Sequence, residues 1–218
     1  MKRGFDLSYL TEEWRKVLDL TLDHLQLTLL AIGLALLIAA PLGMAAARFR
    51  WLTFPVLGLL SALYTVPSLA FLVFLIPSLG IGREPTLVAL VAYAQIFVVR
   101  NIVAGLRGVD PPTLEAASGI GMTPWQVFRR VRLPLALPVI LAGVRTALTT
   151  TIGLATLAAT IDAGGLGTLL FDGIARAYNA MILAGAIAIA ALAIAIDLVM
   201  RLLERLTPLA RAERARAG

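Results

Sequence analysis

Hydrophobic positions along this chain gather into long runs separated by short polar links. Five runs reach the roughly 20 residues a helix needs to cross a hydrocarbon core: Leu25–Ala47, Leu52–Leu79, Thr86–Val103, Leu135–Ala159 and Ala180–Leu203. The second is overlong and carries Pro55, Pro67 and Pro77. Proline interrupts a helix's own hydrogen-bond ladder, so a kinked or tilted helix is predicted, with two short crossings as the other use of that length. Ahead of the first run, Tyr9, Leu10, Trp14, Val17 and Leu18 recur at helical spacing among mixed charges, the pattern of a short interfacial helix. The alternating Ala-Ile stretch 186–196 has a strand's period, but an open strand cannot satisfy its backbone in lipid, so a helix is predicted there too. The fold class is an all-α membrane protein of about five transmembrane helices.

The polar links orient the bundle. Arg48 and Arg50 flank the first link; Arg107, Arg129, Arg130 and Arg132 lie in the long third link; Arg201, Arg205, Arg211, Arg214 and Arg216 fill the C-terminal end. With five spans these regions share one face, and positive charge marks it as cytoplasmic. The N-terminus, which carries basic residues of its own, then lies outside with the links holding Arg83 and Arg176. The expected organisation is an interfacial segment 1–24, a transmembrane domain 25–203 and a basic cytoplasmic tail 204–218. Small residues punctuate spans four and five (Gly143 and Ala147; Ala184, Ala188, Ala191 and Ala195), letting helix backbones approach closely in lipid.

Composition removes several functions. The 218 residues are 60% hydrophobic and 15% charged, with mean hydropathy +0.90, which indicates lipid as solvent. There is no cysteine and one histidine, His24, so disulfides and Cys- or His-cluster metal sites are excluded. The net charge of +6 belongs to the arginine links and gives no reason to invoke nucleic acid. The only lysines are Lys2 and Lys16, and neither sits in a GxxxxGK[ST] loop, so any ATP that drives this chain must bind elsewhere.

The third link, residues 105–138, is the most informative. Asp110 can cap a helix with Pro111 in its first turn; Leu114, Glu115, Ala116 and Ala117 continue it; Gly119 and Gly121 break it. Thr123 then caps a second helix carrying Pro124, Trp125, Val127, Phe128 and Val131 and ending at Pro134. A compact helical hairpin exposing apolar residues suggests a docked protein partner.

Glu115-Ala116-Ala117, Gly119 and Leu133-Pro134 resemble the EAA loop of ABC importer permeases. The likeness extends to Thr21–Thr28, Pro41–Gly43, Val66–Ala70, Leu79–Gly82, Arg100-Asn101, Gly119–Thr123, Leu133–Pro138, Ala142–Ala147 and Ala163–Gly167. Together these are similar to the osmoprotectant branch, which handles glycine betaine, carnitine, choline and related quaternary ammonium compounds. Asp162 stands where that pattern has glycine, and Gln95-Ile96-Phe97 lacks an expected proline. The resemblance implies the type I importer permease fold in a bacterial cytoplasmic (inner) membrane. It also implies a coupling loop at about 105–134, with Glu115, Ala116, Ala117, Gly119, Gly121, Met122 and Trp125 at or near an ATPase. The implied partners are a second permease subunit, two ATP-binding subunits and an extracellular binding protein. ATP and Mg would sit on the ATPase, and no cofactor on this chain.

Intramembrane polar residues are the candidates for a path or gate. Arg145 can tether helices or line the path; Gln95, Tyr93 and Tyr64 can line a cavity or bridge helices; Asp197 and Arg201 suit a local i, i+4 pair. Thr149, Thr150 and Thr151 can bond back to their own helix. The stretch Asp162–Asn179, with Gly164, Gly165 and Gly167, predicts a re-entrant turn near an external gate, with a plain surface loop as the alternative. His24 is expected as a satisfied interfacial residue, and no aromatic cage for a quaternary ammonium stands out. An importer for another small solute such as an amino acid is the alternative cargo reading. An ion-coupled secondary transporter fits poorly, having no visible repeat and only Asp197 as an acid well inside a span. The single histidine and absent cysteine also disfavour an intramembrane enzyme.

Overall fold

The computed structural model describes residues 7–206. Lys2 and, in the basic tail, Arg211, Arg214 and Arg216 therefore lie outside the described residues. Within the described range the regular elements are helices. A short α1 (Ser8–Glu12) leads into α2 (Trp14–Arg48), then α3 (Arg50–Thr65), α4 (Ser68–Leu79) and α5 (Arg83–Arg107). The loop hairpin is α6 (Pro111–Gly119) and α7 (Pro124–Val127), followed by α8 (Leu133–Leu157), α9 (Gly167–Ala175) and α10 (Asn179–Arg205). Four continuous helical stretches among the described residues are long and apolar enough to cross a membrane, and the bent pair α3–α4, counted as one span, makes a fifth candidate.

Helix α2 differs from expectation. Interfacial segment and first span form one 35-residue helix, with no break at residues 24–25. Asp19 and Asp23 lie within it. Thr21 and Thr28 donate their hydroxyls to the carbonyls of Val17 and His24 at 2.7 and 2.9 Å, so their polarity is absorbed within the helix. Because α10 runs through Arg205, the expected tail also begins inside a helix.

The overlong second run is broken rather than kinked: α3 and α4 meet at 94°. Of its three prolines only Pro67 sits at the break; Pro55 and Pro77 lie within helices. The residue before a proline is pushed out of the helical region, and Val66 is extended at φ −65°, ψ 130°. Pro134, expected to end the second loop helix, does not. Phe128–Arg132 form one wide, π-type turn, in which the Leu133 N–H reaches back to the Phe128 carbonyl. That extra residue per turn absorbs the disruption a proline brings, and the helix runs on into α8.

The centre of the bundle is α2, α5 and α8. Ile32, Ala35, Ala39, Ala46, Val98, Val99, Ile102 and Ala147 form its core toward the hairpin. Val17, Ile152, Leu166, Leu169, Met181 and Ala184 form a second core, toward the opposite end. Close approach depends on absent side chains: a Cβ on Gly143 would stand 2.3 Å from that of Asn101. In span five only part of the small-residue face packs inward, since Ala184 is buried while Ala191 and Ala195 face out.

Candidate functional site

The hairpin end is built as an exposed tip on a fixed base. Pro111 opens α6 after an extended Asp110, whose carboxylate makes no capping bond. Gly121 takes the left-handed backbone of the turn (φ 88°), whereas a Cβ on Gly119 would meet open space. Thr123 closes a capping box, its hydroxyl accepting from the Gln126 N–H at 3.3 Å while Gln126 Oε1 accepts from the Thr123 N–H at 2.9 Å. Glu115, Ala116, Gly119, Gly121 and Trp125 are thereby exposed together, Met122 is half-buried and Ala117 is buried. Ile120 and Trp125 remain 77% and 65% exposed, large apolar groups outside the bundle. Trp125 stacks on Phe128, with centroids 5.7 Å apart.

Two arginines fix the base, a role the sequence reading missed by treating them only as orientation signals. Arg107, at the last turn of α5, donates to the carbonyls of Ala46 (2.7 Å) and Ala47 (3.1 Å) and to the Thr53 hydroxyl (2.6 Å). Arg132 donates to the Leu106 carbonyl at 2.7 Å. These guanidinium groups satisfy carbonyls that helix ends leave free, tying α2, α3, α5 and the start of α8 together beneath the hairpin.

At the opposite end, side-chain acceptors hold a glycine loop. Asp23 Oδ2 accepts from the Gly165 N–H at 2.9 Å, and Oδ1 pairs with Arg83 at the start of α5. His24 is fully buried. Its Nδ1 faces the Leu166 N–H at 3.2 Å and its Nε2 faces the Ile152 carbonyl at 3.0 Å. Only a neutral ring protonated on Nε2 satisfies both partners. His24 is therefore satisfied, as expected, and it clamps the glycine loop from a fully buried position. A Cβ on Gly164 would come within 2.7 Å of Asp23 Oδ2, one on Gly165 within 2.8 Å of His24 Nδ1, and one on Gly167 within 2.0 Å of the Thr156 carbonyl. The chain leaves α8, passes Asp162 in a left-handed turn (φ 60°), and dips back beside Thr156 before α9 turns it outward along α10. Asp162 itself is exposed.

The remaining candidates fall between these ends and do not converge. Arg145 lies 3.0 Å from Glu204 and 3.6 Å from Asp197, while Asp197 also pairs with Arg201 at 2.6 Å. The anticipated local pair is thus part of a network joining α8 to α10. Gln95 is buried and donates from Nε2 to the Ala35 carbonyl at 3.2 Å. The Tyr93 hydroxyl donates to the Val66 carbonyl at 2.6 Å, at the break between α3 and α4. Thr149 bonds back to its own helix, as expected.

The chain is similar to known proteins over most of its length. Residues 39–207 match the family described as "Binding-protein-dependent transport system inner membrane component". The chain is 41% identical over 199 residues to the glycine betaine/carnitine/choline transport system permease protein OpuCB of Bacillus subtilis, covering 91% of this chain and 92% of that one. It is 43% identical over 208 residues to the osmoprotectant import permease protein OsmW of Salmonella typhimurium, covering 93% and 97%. Among solved structures, an inward-facing form of the MetNI methionine ABC transporter aligns at TM-score 0.76 and 22% identity, over 88% of this chain and 95% of that one. At that identity the likeness speaks to the fold alone.

Proposed function

The chain belongs to the family of binding-protein-dependent transport system inner membrane components, and from that premise we propose that it is the permease subunit of an ATP-driven importer for quaternary ammonium osmoprotectants. The relatives described above support the cargo class. It is a multi-pass protein of the bacterial inner membrane.

One observation carries the mechanism: an exposed α6–α7 hairpin whose base is fastened by arginines to the ends of the central helices. In this reading the hairpin faces the cytoplasm and seats on an ATP-binding subunit. Glu115, Ala116, Gly119, Gly121 and Trp125 form the contact, with Met122 and Ala117 supporting it. ATP and Mg reside on that partner. When the ATPase pair closes, motion of the hairpin passes through Arg107 and Arg132 to α2, α5 and α8, so the bundle rotates as a body instead of the loop bending alone. Two permeases and two ATPases then alternate access, a second copy or a related chain supplying the other half. An extracellular binding protein delivers cargo at the opposite end, where Asp162, Gly164, Gly165 and Gly167 close the path. Asp197, the acid an ion-coupled mechanism would need, is already paired with Arg145 and Arg201.

The test is reconstitution with the partner ATPase and binding protein. Glu115→Ala and Gly119→Trp leave the permease folded, because both positions are exposed. Each is expected to lower ATP-dependent uptake about tenfold or more through a weakened subunit contact. Unchanged complex formation and uptake in both variants would sink the coupling role.

A further inference from the structure

The broken helix brings together an aromatic group that the sequence did not assemble. Tyr64, at the end of α3, has its ring centroid 5.7 Å from that of Tyr93 and 5.2 Å from that of Phe97, at interplanar angles of 73° and 84°. Phe71 of α4 meets Tyr93 at 5.6 Å and 83°. Rings at near right angles form a corner that presents π faces from more than one side, which is how a quaternary ammonium is held. The back of the corner is rigid: Tyr93 is 3% exposed and its hydroxyl is fixed on the Val66 carbonyl. The front is open, with Tyr64 42% exposed.

Backbone chemistry favours a cation at the same place. Thr65 and Val66 turn back onto the carbonyls of Ala62 and Leu63. Among the described residues no hydrogen bond reaches the carbonyl oxygens of Tyr64 and Thr65, the last of α3. Tyr93 stands about 15 Å along α5 from Arg83, close to the middle of the helix. At that depth free carbonyls are tolerated where they line water or a bound group, and they form the negative end of the helix dipole. A quaternary ammonium donates no hydrogen bond, so π faces and carbonyl dipoles suit it. Such contacts are also weak enough to release cargo in transit.

We propose that Tyr64, Tyr93 and Phe97, with the free carbonyl end of α3, form a mid-membrane station for the quaternary ammonium group of the cargo. This rests on the cargo class put forward above. In proteoliposomes holding the complete transporter and its binding protein, initial uptake of labelled choline and glycine betaine is measured beside ATP hydrolysis stimulated by loaded binding protein. Tyr64→Phe, which keeps the ring, retains uptake. Tyr64→Leu and Phe97→Leu lower uptake of both compounds about tenfold, the scale of a lost desolvated cation–π contact, while stimulated hydrolysis stays near wild type. Wild-type uptake in both leucine variants would overturn the station and leave the rings as packing against lipid. Equal loss of uptake and hydrolysis in all three variants would overturn it too, by making the corner purely structural. A wild-type complex that moves neither choline nor betaine would instead remove the cargo class, and the station with it.

Discussion

The two ends of the central helices are fastened by opposite chemistry. At the hairpin end, cationic side chains donate to backbone carbonyls: Arg107 to Ala46 and Ala47, Arg132 to Leu106. At the other end, Asp23 and His24 accept from backbone N–H groups of a glycine loop. The arginines reach helix termini from a distance, so side chains around them can vary and the joint can bear load. The glycine loop lies directly against its acceptors and against Thr156, leaving no room for a Cβ. One end is thus a staple, the other a close-fitting plug. The difference shows in what each end tolerates.

The largest effect is expected at Gly167. An alanine there would place its Cβ 2.0 Å from the Thr156 carbonyl, a clash with backbone that no rotamer change relieves. Gly167→Ala should cost about 3 kcal/mol or more, seen as a lowered unfolding temperature in detergent. Gly119→Ala, in open space, should leave that temperature nearly unchanged. Equal stability of the two alanine variants would remove the close-fitting plug from the account. Next comes Arg107→Met, which keeps the length of the side chain but loses three hydrogen bonds. It should cost about 2 kcal/mol and leave ATP hydrolysis poorly coupled to uptake, a readout that a loss at the plug end would not share.

Much of the fold was legible because lipid imposes it. Run length predicted the spans, the arginines marked one end of the bundle, and turn chemistry around Pro111, Gly121, Thr123 and Pro124 predicted the hairpin. What escaped were features decided by contacts far apart in sequence. Nothing local distinguishes Pro67 from Pro55 or Pro77. The break falls at Pro67, where the Val66 carbonyl is taken by Tyr93. Pro134 predicts a stop because a widened turn leaves no mark in composition. His24 gave no local sign of the loop it clamps, which lies 142 residues away in sequence. Of the predicted hairpin residues, Glu115, Ala116, Gly119, Gly121 and Trp125 are exposed together, whereas Ala117 is buried and Met122 half-buried. Arg145, Gln95 and Tyr93 instead proved to have separate partners on α10, α2 and the α3–α4 break.

The smallest expected effect tests whether the plug is chosen for shape alone. Asp162 holds a left-handed backbone at φ 60°, ψ 32°, the conformation for which glycine is the usual solution. Asp162 is therefore a tolerated exception to that preference, since aspartate enters this region more readily than most residues. Its exposed carboxylate has no hydrogen bond or ion pair among the described residues, so removing it forfeits no contact. Asp162→Gly relieves about 1 kcal/mol of backbone strain and returns about half of that as added freedom in the unfolded chain. The net expectation is a gain of about 0.5 kcal/mol, seen as a slightly raised unfolding temperature. Asp162→Val, with a branched Cβ at the same positive φ, should lose about 1–2 kcal/mol. If glycine instead lowered stability by about as much as valine does, the carboxylate would have a partner at this end, and the plug would be held by charge as well as by fit.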